Sequence, residues 1–298
     1  MALLPIPSGL ATSNEFESVQ GFNALGAPVV VPKTNFSSGG REVLTADRNY
    51  YVRTDGNDSN TGLENTAGGA FLTIQKAVDV VCSLDTSIYQ VIIYVAAGSY
   101  TLTSPIILKS LVGAVTVKII GDAVTPSNVA ITTTGSVFST NYGQGSWDID
   151  GFRFNGASAT SGTIVSCGYG NYIKIRNFEF NGFGGGAVFY CIRGGNLEIF
   201  GNIKCIGAFK AFLWAEQFAF LNFQASSLVL ESTPSFSSYF AVCKTAKMNF
   251  WPTVNITGTA TGTRYLVEQN GILDVAGAGA TRLPGSTPGT TATGGQYV

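Results

Sequence analysis

The acid pair in WDIDGF, Asp148 and Asp150, is the part of this sequence that comes nearest to chemistry. Glycoside hydrolysis needs two carboxyls about 5 to 9.5 Å apart, one to deliver a proton and one to act as base or nucleophile. Residues two apart on a strand share a face at roughly 7 Å, so the spacing permits that role. Each acid, however, has a basic residue one repeat further on: Lys174 for Asp148 and Arg176 for Asp150. A nearby cation lowers a carboxyl pKa, whereas a general acid needs a raised one. The expectation is therefore that both stay ionised near neutral pH, form part of an ionic ladder, and are not catalytic.

The stretch DGNDSNTG, residues 55 to 62, offers oxygen ligands from Asp55, Asn57 and Asp58. It lacks the spacing and the downstream glutamate of a calcium loop, and Asx-turn chemistry accounts for the same residues without a metal. The chain has no His, and its five Cys residues contain no C-x-x-C spacing, which removes the usual zinc ligand sets. The cysteines are expected to be reduced, buried filler. No motif implies a cofactor. Phe183, Phe209, Phe236 and Tyr239 fall at or beside predicted turns. Rings exposed there would serve a subunit interface or stack on sugars.

These residues are positioned by a repeat. From Cys167, steps of 24, 24, 28 and 25 lead to Cys191, Ala215, Cys243 and Glu268. A second column, Phe154, Phe180, Cys205, Leu230 and Ile256, keeps nearly the same period. A repeat of ~25 residues with short strands and no helix marks an all-β fold, a right-handed parallel β-helix, in which each coil buries its inward side chains on its neighbours. About eight coils from Val91 at ~4.8 Å each give a core about 40 Å long. Alternation turns Trp147, Ile149, Ile173, Ile175, Leu197, Ile199, Leu221 and Phe223 inward. It turns Asp148, Lys174 and Glu198, and likewise Arg153, Glu179 and Lys204, outward in columns of alternating sign, each opposed pair adding roughly 0.2 to 1 kcal/mol.

Four segments follow. Residues 1–46, rich in Pro, Gly, Ser and Asn, read as an N-terminal arm. Residues 47–89 open the coil, and Ile74, Ala77, Val78 and Val81 at helical spacing predict one capping helix over 72–84. Residues 90–283 form the β-helix and 284–298 a Gly/Thr-rich tail. A net charge of −1 leaves no basic field for a nucleic acid backbone. No apolar run approaches the ~18 residues of a membrane span, and MALLPIPSGLATS lacks the positive start of a secretory signal. The turns are mostly short, so a deep substrate groove would need a neighbouring chain.

At YYVRTDGNDSNTG, FLTIQKAVDVV and VIIYVAAGSYTL, residues 47 to 135, the chain resembles the opening module of pectate-lyase-like right-handed β-helix proteins. With the closing stretch GSTPGTTATGGQYV, it is similar to tail fibres and tailspikes of tailed bacteriophages and prophages. That resemblance implies a homotrimeric virion appendage that docks to other virion proteins through its N-terminal segment. Its β-helix would face the host envelope and attach to surface polysaccharide. It brings no catalytic residues onto this chain. The alternative it leaves open is a tailspike polysaccharide depolymerase.

Overall fold

The computed structural model describes residues 18–22, 28–32, 41–113, 116–140, 144–156 and 158–298. The chain divides into two compact units, residues 1–42 and 43–298. In the first, strands β1 (Ser18–Phe22) and β2 (Pro28–Pro32) form an antiparallel hairpin. The rest of the expected docking arm, up to residue 40, lies outside the described residues.

The second unit is a parallel β-solenoid of about eight turns. Its first coils are built from β3 (Arg48–Val52), β4 (Val91–Val95), β5 (Gly98–Leu102), β6 (Ile106–Leu108), β7 (Val117–Ile120), β8 (Val129–Thr133) and β9 (Phe138–Thr140). Long strands then run round the corners, β10 (Ser146–Gly156), β12 (Tyr172–Cys191) and β13 (Asn196–Glu216), with the short β11 (Val165–Cys167) between the first two. The last coils use β14 (Phe220–Phe223), β15 (Ser227–Lys244), β16 (Lys247–Phe250), β17 (Asn255–Gly258), β18 (Thr261–Glu268), β19 (Ile272–Asp274), β20 (Thr290–Thr291) and β21 (Gln296–Tyr297). Stacked in register, these make three parallel faces. The first runs from β3 through β4, β7, β10, β12, β13, β14, β16 and β19 to β21. The second runs from β5 to β17 and the third from β6 to β20.

Among the described residues one α-helix forms, α1 (Ile74–Cys82), and it caps the first coil within the expected 72–84. Thr73 starts it by accepting from the Lys76 amide at 3.2 Å, which satisfies one of the amides a helix N-terminus leaves open. Ile74, Ala77, Val78 and Val81, the positions predicted by the helical spacing, are its buried face. They cover interior side chains and a sheet edge that would otherwise pair with other chains.

The inward residues read from alternation are all buried, from Trp147 to Phe223. Between them runs a continuous stack of rings, with Phe154 on Phe180 at 5.5 Å and Phe223 on Phe250 at 4.8 Å. Burying each such ring is worth ~1.5–3 kcal/mol, and the ring pairing adds roughly 0.5–1.5 more. At one corner of three successive coils, Gly151, Asn177 and Gly201 adopt the left-handed conformation, with φ of 78°, 51° and 64°. Glycine and asparagine are the residues that tolerate it. Asn177 also bonds to the coil on each side, donating to Asp150 at 2.8 Å and accepting from the Asn202 amide at 3.0 Å.

Three details differ from the sequence reading. The cysteine column holds from Cys167 to Cys243 but continues to Val267, so Glu268 pairs outward with Lys244. In the second column Leu230 opposes Gly258, while Ile256 opposes Leu228. Coil stacking continues past residue 283: within the Gly/Thr-rich tail, 284–298, β20 and β21 add rungs to the third and first faces.

Candidate functional site

Asp148 and Asp150 stand in register with Lys174 and Arg176 as predicted, but the contacts are diagonal. Arg176 Nη2 lies 2.8 Å from Asp148 Oδ2. Lys174 instead rests over the rings of Tyr172 and Phe200, at 5.4 and 5.9 Å, and Glu198 accepts from Tyr172 Oη at 2.5 Å. Burial raises the Asp150 carboxyl above its ordinary value, outweighing the Asn177 hydrogen bond and the Arg176 charge that lower it. The direction of this shift is opposite to the one the neighbouring cation alone predicts, because desolvation at the corner outweighs Arg176. Asp148 is 7% exposed, and its Oδ1 has no hydrogen-bond partner. The second ladder also keeps its register, Arg153 to Glu179 to Lys204, yet Lys204 bonds onward to Glu231 at 2.5 Å.

Three of the four turn aromatics lie in the core. Phe183, Phe209 and Phe236 are 0%, 2% and 2% exposed, and they oppose one another in register on β12, β13 and β15. They therefore have no free face for a sugar or a second subunit. Each follows a register shift at a corner, where the strict in-out alternation breaks and the ring turns inward. Tyr239 alone remains half-exposed.

Side chains in the 55–62 stretch are engaged by the protein itself. Asp58 accepts from the Leu72 and Thr73 amides at 2.9 Å each and from Thr73 Oγ1 at 2.7 Å, tying this loop to the start of α1. Asn57 accepts from the Ser59 amide at 2.9 Å in an Asx turn, and Asp55 pairs with Arg53 at 2.8 Å. All five cysteines are buried and unlinked. Burial pushes the Cys243 thiol up to about 12 and raises Cys191 and Cys205 as well, so these are space-filling groups and not nucleophiles. Beside α1 lies a cleft of about 420 Å³, lined largely by hydroxyls and aliphatic groups. Its one amide side chain, Gln75, is committed to Ile107 and Asp79.

The arrangement with the clearest capacity to hold a ligand is on the outward side of the third face. Ala215 points inward on β13, so its neighbours Trp214 and Glu216 point outward, and Tyr190 opposes Trp214 on β12. Glu216 receives both polar handles: Tyr190 Oη at 2.5 Å to one oxygen and Trp214 Nε1 at 3.0 Å to the other. Burial first, and then the Glu216 hydrogen bond, raise the Tyr190 phenol, which remains a donor at any physiological pH. The two rings meet edge to face at 6.5 Å, and the Lys244 ammonium lies 5.5 Å from the Trp214 ring. Together with Gly186, Ser238 and the exposed Lys210 they line an open cleft of about 320 Å³.

A fixed indole and phenol presenting apolar faces, with a few convergent polar groups, is the composition of a small-ligand site. Sequence reasoning passed over it because Ala215 was read only as a member of the interior column. The signal was present: alternation about Ala215 exposes a tryptophan and a glutamate on one strand face. The chain matches no family model, no curated protein and no solved structure. What the fold defines is the class, a parallel β-helix protein.

Proposed function

We propose that this protein is a non-catalytic attachment protein of a phage-type virion appendage, and that its β-helix binds host surface glycans through the Tyr190–Trp214 cleft. The observation that carries the binding role is the double anchoring of Tyr190 and Trp214 on Glu216. It fixes both rings in advance, so little side-chain freedom is lost when a sugar stacks on them. The C–H face of a pyranose suits an aromatic ring, and the remaining lone pairs of Glu216 together with Lys210 and Ser238 suit its hydroxyls. The virion setting is supported by the likeness of residues 47–135 and the closing stretch to phage appendages. A homotrimer belongs to the same proposal.

One observation favours a second reading, a polysaccharide depolymerase. Asp150 is raised by burial and sits two residues from Asp148, which is ion-paired to Arg176. Such an asymmetric environment is how acid and base are separated in glycosidases. One experiment addresses both readings: incubate the purified protein with polysaccharide from a susceptible host, then measure retention and new reducing ends. Retention without new ends, abolished by Trp214→Ala, is expected. Reducing ends that vanish in a folded Asp148→Asn/Asp150→Asn double variant would establish the depolymerase instead.

A further inference from the structure

Near the end of the solenoid a cleft of about 560 Å³ is lined by two arginines, Arg264 and Arg282, and, among the described residues, by no acidic one. Among the described residues neither arginine forms an ion pair, whereas Arg176, Lys204 and Lys244 each reach a carboxylate on a neighbouring coil. The Nε of each is enclosed and lacks a hydrogen-bond partner. An enclosed guanidinium N–H without an acceptor is unfavourable, and more so when nearby charge is uncompensated.

Arg282 is also held rigidly. Its Nη2 donates to the carbonyls of Trp251, Pro252 and Val254 at 3.1, 3.0 and 2.7 Å, and the guanidinium lies over the Phe250 ring at 5.4 Å. Tyr297, close enough to influence Arg282, supplies no counter-charge: burial pushes its phenol up to about 12, and it donates to the Gly279 carbonyl at 3.0 Å. The site is thus preorganised and positive, and among the described residues no carboxylate neutralises it.

We propose that this cleft binds the carboxylate of an acidic sugar, such as a uronate residue of a surface polysaccharide. The charge and the planar fork of arginine suit a carboxylate. The volume is far more than a simple inorganic anion fills, and the remaining lining, with hydroxyls of Thr259, Thr281 and Ser286 and aliphatic surface of Leu230 and Ile256, suits a pyranose ring. This site is distinct from the Trp214 cleft, and its test does not depend on that one.

The test is an NMR titration of the full chain with galacturonate, galactose and inorganic phosphate. Galacturonate is expected to bind at least tenfold more tightly than galactose, and to weaken as salt rises. Arg264→Gln should lower that affinity at least tenfold; Arg282→Gln should act in the same direction, but it also releases the 251–254 carbonyls, so Arg264→Gln decides. Equal binding of galactose and galacturonate, no binding of either, or an unchanged Arg264→Gln would overturn the proposal. Phosphate binding as tightly as galacturonate would overturn the sugar assignment and leave a plain oxyanion site. Galacturonate binding that survives Trp214→Ala would show that the two clefts act separately, whereas its loss in that variant would place it at the aromatic cleft and sink this assignment.

Discussion

Glu216 and Lys244 oppose each other in register on adjacent coils, yet Lys244 gives its ammonium to Glu268 on the following coil at 2.7 Å. Glu216 is left to the two aromatic donors. Its role is therefore to hold Tyr190 and Trp214, and the outward ladder ends where the cleft begins.

Removing that anchor frees two rings. Glu216→Ala should weaken retention on host polysaccharide by about tenfold, equivalent to ~1.4 kcal/mol, because two ordered side chains must then be fixed on binding. Trp214→Ala, which deletes the stacking face itself, should weaken it at least as much. Affinity electrophoresis with immobilised polysaccharide reads both variants, and unchanged mobility in both would refute the glycan role of this cleft.

Asp150 gives a stability prediction with a defined sign. Its folded pKa lies above the unfolded value of ~3.9, so between the two the native state holds more protons than the unfolded one. Its contribution is then most favourable below the unfolded pKa and declines as pH rises through the folded one. Asp150→Asn, which can still accept from Asn177, should be at least as stable as the parent at pH 7, and the difference should shrink toward pH 4. Urea denaturation at the two pH values measures it, and a variant clearly less stable at pH 7 would show that the Arg176 charge dominates instead.

The inward turn of the corner rings can be tested by truncation. Phe209 packs against Phe236 at 5.8 Å and Phe212 at 6.1 Å, so Phe209→Ala should cost ~3–5 kcal/mol. Phe218, 83% exposed at the tip of a turn, should change stability by less than about 0.5 kcal/mol when truncated. Comparable small losses at both sites, seen in denaturation midpoints, would return Phe209 to the surface.

The assembly proposed above predicts a mass near three times 31.2 kDa. With the corner rings buried, the apolar surface a trimer could cover is instead at residues such as Ile88, Val124 and Phe218, 75%, 93% and 83% exposed. Light scattering that gives a stable monomer at micromolar concentration would remove the trimer from the proposal.

Much of the fold was legible because side chains on stacked coils must match. Cys167, Cys191 and Cys243 mark an interior column, and Asp148 over Lys174 over Glu198 marks an exterior one. What sequence could not supply was the length of each corner. Extra corner residues ahead of Tyr239 stretch the step from Ala215 to Cys243 to 28 residues, the next step to Val267 falls back to 24, and a step of 25 lands one residue too far, on Glu268. The corner rings were misplaced for the same reason, although Phe183, Phe209 and Phe236 recur once per coil, which is itself the mark of an interior column. The direction of the Asp150 shift was not legible because neighbouring charge can be counted along the chain, whereas desolvation depends on how tightly a corner closes over it.

The exterior column on the first face also constrains how such a rod can change length. From β7 to β13 it runs Lys118, Asp148, Lys174, Glu198, each charge facing its opposite. Excise the coil that begins at β12 and Asp148 would sit against Glu198, acid on acid, which destabilises adjacent strands. Excise two coils and the alternation survives. The charge pattern therefore carries a parity, under which duplication or loss of this part of the rod is tolerated in even steps of about 10 Å more readily than in single ones.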